Sequence, residues 1–207
     1  MEDISSGLQD ISEIRSMMEK ATKFLSLSGL SGVSAGIIAL AGAWLAADAI
    51  GGSWGRISAS LPNAGEGAPV TFLVCDALGV LLLALASSTW FSVRIARRRG
   101  LSLWGPTTAY MLAALFIPLG AGGAFCGVLL SGGSCALIPS AMLVFYGLAL
   151  LSAGNFTFSE VRYLGGIDVL LGLTAGFRPE LGLILWAGGF GLLHIVYGLL
   201  LWAKYEQ

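Results

Sequence analysis

Long apolar runs separated by short polar breaks set the pattern of this chain. A membrane span needs about 20 mostly apolar residues. Six stretches approach or exceed that length: 24–50, 69–93, 107–130, 135–153, 158–177 and 181–203. The breaks are equally clear. A polar stretch after the first run carries Arg56, Pro62, Asn63 and Glu66, and the second run ends at Arg94, Arg97, Arg98 and Arg99. Gly132 and Gly133 make a tight turn after the third run, Gly154 and Asn155 follow the fourth, and Arg178-Pro179-Glu180 follows the fifth. Pro118 is expected to kink the third run. The pattern predicts an all-α polytopic transmembrane bundle of six spans, filling 24–207.

The fifth run is the weakest. Its cleanly apolar part, 164–177, would be about 21 Å long as a helix, short of a hydrocarbon core of about 30 Å. Extending it back to 158 brings Glu160 and Arg162 into its first turns. Five spans with a re-entrant segment is the alternative.

The first 23 residues follow a different period. Ile4, Leu8, Ile11, Ile14, Met18, Ala21 and Leu25 recur at three- and four-residue spacing, with Asp10, Glu13 and Glu19 off that stripe. This predicts an amphipathic cytoplasmic or interfacial helix over 1–23. It would lie on the bilayer or the bundle, or dock on a protein partner. No cleavable signal peptide is expected, because the segment is charged and the first apolar run is long enough to serve as an anchor.

Composition narrows the class. The 207 residues are 56% hydrophobic and 11% charged, against roughly a quarter charged in soluble domains. The 30 glycines fall within the apolar runs without a collagen period, as expected where membrane helices pack closely. The placement of charge gives an orientation. With the N-terminus in the cytoplasm, Arg15, Lys20, Lys23, Arg94, Arg97, Arg98, Arg99, Arg162 and Lys204 lie inside, and only Arg56 and Arg178 lie outside. An even number of spans keeps Lys204 with the others. Both termini are therefore expected in the cytoplasm.

Ionisable residues within the runs are the candidate chemistry. A charge in hydrocarbon costs about 3 kcal/mol or more, so such groups face the bundle interior or a watery cavity. Asp76, Asp168 and His194 qualify, and Asp48 is expected to reach the interface. Asp168 shares a helix face with Gly165, Gly172 and Ala175. His194 shares one with Ala187, Gly191 and Gly198, with Tyr197 one turn on. Measured from the turn at Pro179, Asp168 and His194 differ in level by about 6 Å. A direct or water-bridged contact would either relay protons or simply hold two helices together. Asp76 has no obvious local partner except Arg56. It is either a cation or proton site or a packing polar group. Asp76, Asp168, His194 and Tyr197 form the candidate intramembrane polar site.

Small residues mark the expected helix contacts. Gly32 and Gly36 form a Gly-xxx-Gly pair on a face with Ser28, Ala39 and Ala43; Gly172, Gly191 and Gly198 mark the faces of the last two spans. These faces serve packing within the chain or a homo-oligomer contact. Asp76 and Asp168 both fall in the middle span of a three-span half, which suggests an inverted repeat.

Enzyme signatures are missing. There is no His-Glu-x-x-His and no Gly-x-Ser-x-Gly. A single histidine excludes a bis-histidine site within one chain, and Cys75, Cys126 and Cys135 lack Cys-x-x-Cys spacing. No cofactor, metal or catalytic residue is expected, and no nucleic-acid partner. Arg97, Arg98 and Arg99 set topology and contact anionic lipid. Cys126 and Cys135 flank the third turn, but their levels are offset against a disulfide.

The block running from Ile11 to Lys20 (ISEIRSMMEK), followed by Phe24 to Gly32 (FLSLSGLSG), resembles a group of uncharacterised bacterial six-span integral inner-membrane proteins. The resemblance implies that setting and transfers no activity and no functional residue. The leading expectation is a bundle that binds or conducts a small solute, ion or proton. The rival is a structural or signalling membrane protein acting through helix contacts and its N-terminal segment.

Overall fold

The computed structural model describes residues 28–50, 68–99 and 106–205. The amphipathic segment 1–23 and Arg56 lie outside the described residues. Among those described, the protein is helical throughout, with no strand. Five helical stretches are long and apolar enough to cross a membrane.

The helices are α1 (Gly29–Ala49), α2 (Ala68–Arg99), α3 (Pro106–Ser131), α4 (Ile138–Ala153), α5 (Ser159–Phe177), α6 (Gly182–Trp186) and α7 (His194–Tyr205). A π-helical stretch, Ala187–Leu193, joins α6 to α7 without a break. These three form one rod. Single-turn 3₁₀ segments precede α4 and α6. Pro118 sits inside α3 without ending it.

The turn after α3 shows why the chain reverses there. Gly133 takes φ 73°, a left-handed value that glycine adopts without a Cβ penalty. Its N–H donates to the Leu130 carbonyl at 3.3 Å, and the Ser134 N–H donates to the Leu129 carbonyl at 2.8 Å. This pair of bonds is a Schellman cap, which satisfies carbonyls the helix end would otherwise leave open.

Consecutive rods run up and down. α1 packs antiparallel on both α2 and the final rod, α5 runs along α4, and α3 flanks α4. Arg94, Arg97, Arg98, Arg162 and Lys204 therefore gather at the end where α1 begins, and Arg178 lies at the opposite end. Lys204 pairs with Glu160 at 2.5 Å, tying the end of α7 to the start of α5. Arg178 pairs with Glu180 at the far turn.

α5 is one uninterrupted helix of 19 residues, about 28 Å long at 1.5 Å per residue. It tracks α4 over its whole length. Gly154 faces Arg162, Gly147 faces Gly165, Val144 faces Gly172 and Ser140 faces Gly176. A Cβ on Gly147 or Gly165 would lie 2.6 Å from the other's carbonyl oxygen. Ser140 Oγ donates to the Gly172 carbonyl at 2.7 Å.

Small residues face inward and large apolar ones outward. On α1 the buried positions include Ser31, Gly32, Gly36, Ala39, Gly42, Ala43, Ala46 and Ala47. Ile37, Trp44 and Leu45 are exposed. A soluble bundle would invert this order. Where the surroundings are as apolar as leucine, association depends on close backbone packing instead. Gly32 and Gly36 face the final rod: a Cβ on Gly36 would lie 2.6 Å from the Gly191 carbonyl oxygen, and one on Gly32 3.0 Å from Gly198 Cα. The Gly-xxx-Gly pair is thus occupied by a helix of the same chain.

The two halves do not pack alike. α2 and α3 are peripheral, with almost none of their apolar residues buried. α5, the counterpart of α2, buries one face against α4 and the final rod, with Tyr163, Leu170 and Phe177 exposed on the other. The suggested repeat therefore has no matching pattern of helix contacts.

Candidate functional site

A polar cluster lies where α4, α5 and the final rod meet. Tyr146 is eight residues from the start of α4 and seven from its end. Asp168 is nine residues from either end of α5. His194 falls near the middle of the rod running from Gly182 to Tyr205. Three polar side chains from three rods therefore meet near mid-depth.

His194 is 7% exposed and fully bonded. Its Nδ1 lies 2.8 Å from the Gly189 carbonyl oxygen, and its Nε2 lies 2.6 Å from the Tyr146 hydroxyl. A carbonyl only accepts, so Nδ1 carries the hydrogen. In the neutral ring Nε2 is then the acceptor, and Tyr146 donates to it. Phe190 stacks on the His194 ring at 6.0 Å between centroids and touches Tyr146 at 4.7 Å and Trp186 at 5.0 Å. The ring has one orientation and two used nitrogens.

Asp168 is the opposite case. It has no exposed surface, and neither carboxyl oxygen has a hydrogen-bond partner among the described residues. Its carboxyl occupies the space that a side chain at Gly189 would fill: a Cβ there would lie 2.6 Å from Oδ1. Leu143, fully buried, closes the same space. Asp168 and His194 thus converge on one glycine without a bond between them. Tyr146 lies within electrostatic reach of both Asp168 and Tyr197.

The glycine sits in the π-helical stretch. Such stretches are rare and recur at functional sites. Here the widened turn lets His194 fold back onto the Gly189 carbonyl, while the missing side chain at 189 admits Asp168.

Asp76 is elsewhere. It is half-buried on α2, with Oδ2 and Oδ1 at 3.4 and 3.6 Å from where a Cβ of Gly42 on α1 would stand. It lines a partly open recess of about 130 Å³ together with Ala43, Ala46, Met142, Leu183 and Trp186. Asp48 is exposed at the end of α1. The candidate residues therefore divide into two places: Asp168, His194 and Tyr197 in or beside the central cluster, Asp76 in the recess.

The remaining small residues pack as contacts within the chain. Gly172 faces Val144 and Leu143, Gly191 faces Leu40, and Gly198 faces Gly29 and Val33. All three cysteines are free thiols. Among the described residues no three His, Cys, Asp or Glu side chains converge to hold a metal.

Sequence reasoning missed Tyr146, Trp186 and Gly189. Tyr146 had a signal, being the one hydroxyl-bearing ring in the middle of an otherwise apolar run. Gly189 had none, because the local change to π geometry leaves no mark in residue spacing.

Comparison with known proteins adds no relative: no family model, no curated protein and no solved structure matches the chain.

Proposed function

We propose that the chain is a six-span integral protein of the bacterial inner membrane, with both termini cytoplasmic, that binds and passes a proton, ion or small solute at Asp168. One observation carries this reading. A carboxyl group with no exposed surface, and with neither oxygen bonded among the described residues, lies midway along the buried face of α5. An unpaired carboxylate in an apolar interior costs several kcal/mol (order of magnitude). A proton or a cation must offset that charge, and groups of this kind are functional by default inside membranes.

The six-span topology draws support from α5, which runs the full length of its partner despite Glu160 and Arg162. The orientation draws support from the basic residues gathered at one end. The bacterial setting rests on the resemblance of residues 11–32, and the interfacial role of residues 1–23 on their periodicity. A structural or signalling role is the second reading. Fully bonded His194 favours it, since a satisfied interhelical bond needs no further purpose. It leaves Asp168 without an explanation.

The test is proton flux into proteoliposomes holding a pH-sensitive dye under an imposed gradient. Wild-type protein should acidify the lumen faster than protein-free vesicles, and Asp168→Asn should return the rate to theirs. Equal flux in wild type and Asp168→Asn removes Asp168 from the mechanism, and a wild-type rate equal to that of empty vesicles removes proton passage.

A further inference from the structure

The recess beside Asp76 is separate from the central cluster and has its own chemistry. Helices α1, α2, α4 and α6 wall it, and Ala43, Ala46, Met142 and Leu183 make its lining almost wholly apolar. One charged side chain and one aromatic ring interrupt that lining. Asp76 contributes a half-buried carboxyl with no hydrogen bond or ion pair among the described residues. Trp186 contributes an indole, 7% exposed, to the wall. A single negative group, an aromatic wall and an otherwise greasy surface fit one ligand class. That class is a cation with an apolar body.

Size narrows it further. An apolar cavity of about 150 Å³ takes up benzene, and this recess measures about 130 Å³. We propose that the recess binds a compact organic monocation of roughly benzene size, with Asp76 as its counter-ion and Trp186 as its aromatic wall. Ala43 and Ala46 matter because they are small: the volume exists where α1 lacks larger side chains.

The proposal stands apart from the reading of Asp168. Calorimetric titration of the detergent-solubilised full chain with cyclohexylammonium, cyclohexanol and cyclohexanecarboxylate tests it, with monodisperse elution as the check on folding. Cyclohexylammonium should bind about tenfold or more tighter than cyclohexanol, since a charge-assisted contact is at stake. The carboxylate should bind worst. Asp76→Asn should bring the cation down to the level of cyclohexanol and leave cyclohexanol unchanged. Leu183→Phe, which narrows the recess from a partly buried position, should weaken both. Asp168→Asn should leave all three affinities as in wild type. No binding of the cation to folded wild-type protein overturns the proposal. So does equal cation affinity in Asp76→Asn, or equal affinity for the cation and the alcohol. None of these results touches Asp168.

Discussion

The Tyr146 hydroxyl donates to Nε2 of His194 at 2.6 Å, linking the middle of α4 to the middle of the final rod. The second imidazole nitrogen is already committed to the Gly189 carbonyl. This histidine is therefore a structural tie with both ends used. The neighbouring carboxyl of Asp168 has neither oxygen bonded among the described residues. Within one cluster the two candidate roles, glue and site, fall on different residues.

That division predicts opposite effects on stability. Tyr146→Phe removes the donor and strands a buried acceptor. Unmet hydrogen bonds cost about 1–3 kcal/mol in soluble proteins, but interhelical bonds in membranes average about 0.6 kcal/mol. The loss should be about 1 kcal/mol, read from unfolding in mixed micelles. Stability equal to wild type would show that the bond does not hold the helices.

Asp168→Val should instead leave the protein as stable or raise stability by about 1 kcal/mol. The substitution keeps a similar volume, removes an unsatisfied polar group and breaks no hydrogen bond. A residue kept at a cost to stability is one retained for another purpose. A loss of 2 kcal/mol or so in the same assay would mean that the carboxyl has a partner, and the site reading would fail.

The course of α5 can be checked by labelling from either side. In a background lacking Cys75, Cys126 and Cys135, cysteines placed at Asn155 and Arg178 report the two ends of this helix. An impermeant maleimide added outside should label Arg178→Cys and not Asn155→Cys, and inverted vesicles should reverse the pattern. Labelling of both from one side would show that α5 does not cross.

Much of the helix layout was legible in the sequence, because apolar length and the breaks at Gly132 and Pro179 act locally, although α2 runs on past Arg94 to Arg99. Burial was less so. The glycines of α1 announce a close contact, but nothing in their spacing names Gly191 and Gly198 as the partners. The suggested pairing of Asp168 with His194 was half legible. Both lie on small-residue faces, and the hairpin brings them near one level. Their meeting through Gly189, rather than through a bond, depends on the π-helical stretch, whose changed turn shifts every later side chain around the rod. Asp76 and Asp168 look alike in the sequence and differ in the fold, because α2 leaves its aspartate half-buried while α5 turns its own onto α4 and the final rod.

On the proposed function, Asp168 exchanges its proton and is not an inert packing group. Difference infrared spectroscopy of the reconstituted protein, comparing wild type with Asp168→Asn before and after transfer to heavy water, tests this most directly. A protonated-carboxyl C=O band should be present that vanishes in Asp168→Asn and shifts in wild type as deuterium replaces hydrogen. A spectrum with no band assignable to Asp168, or a band that does not shift in heavy water, would contradict it.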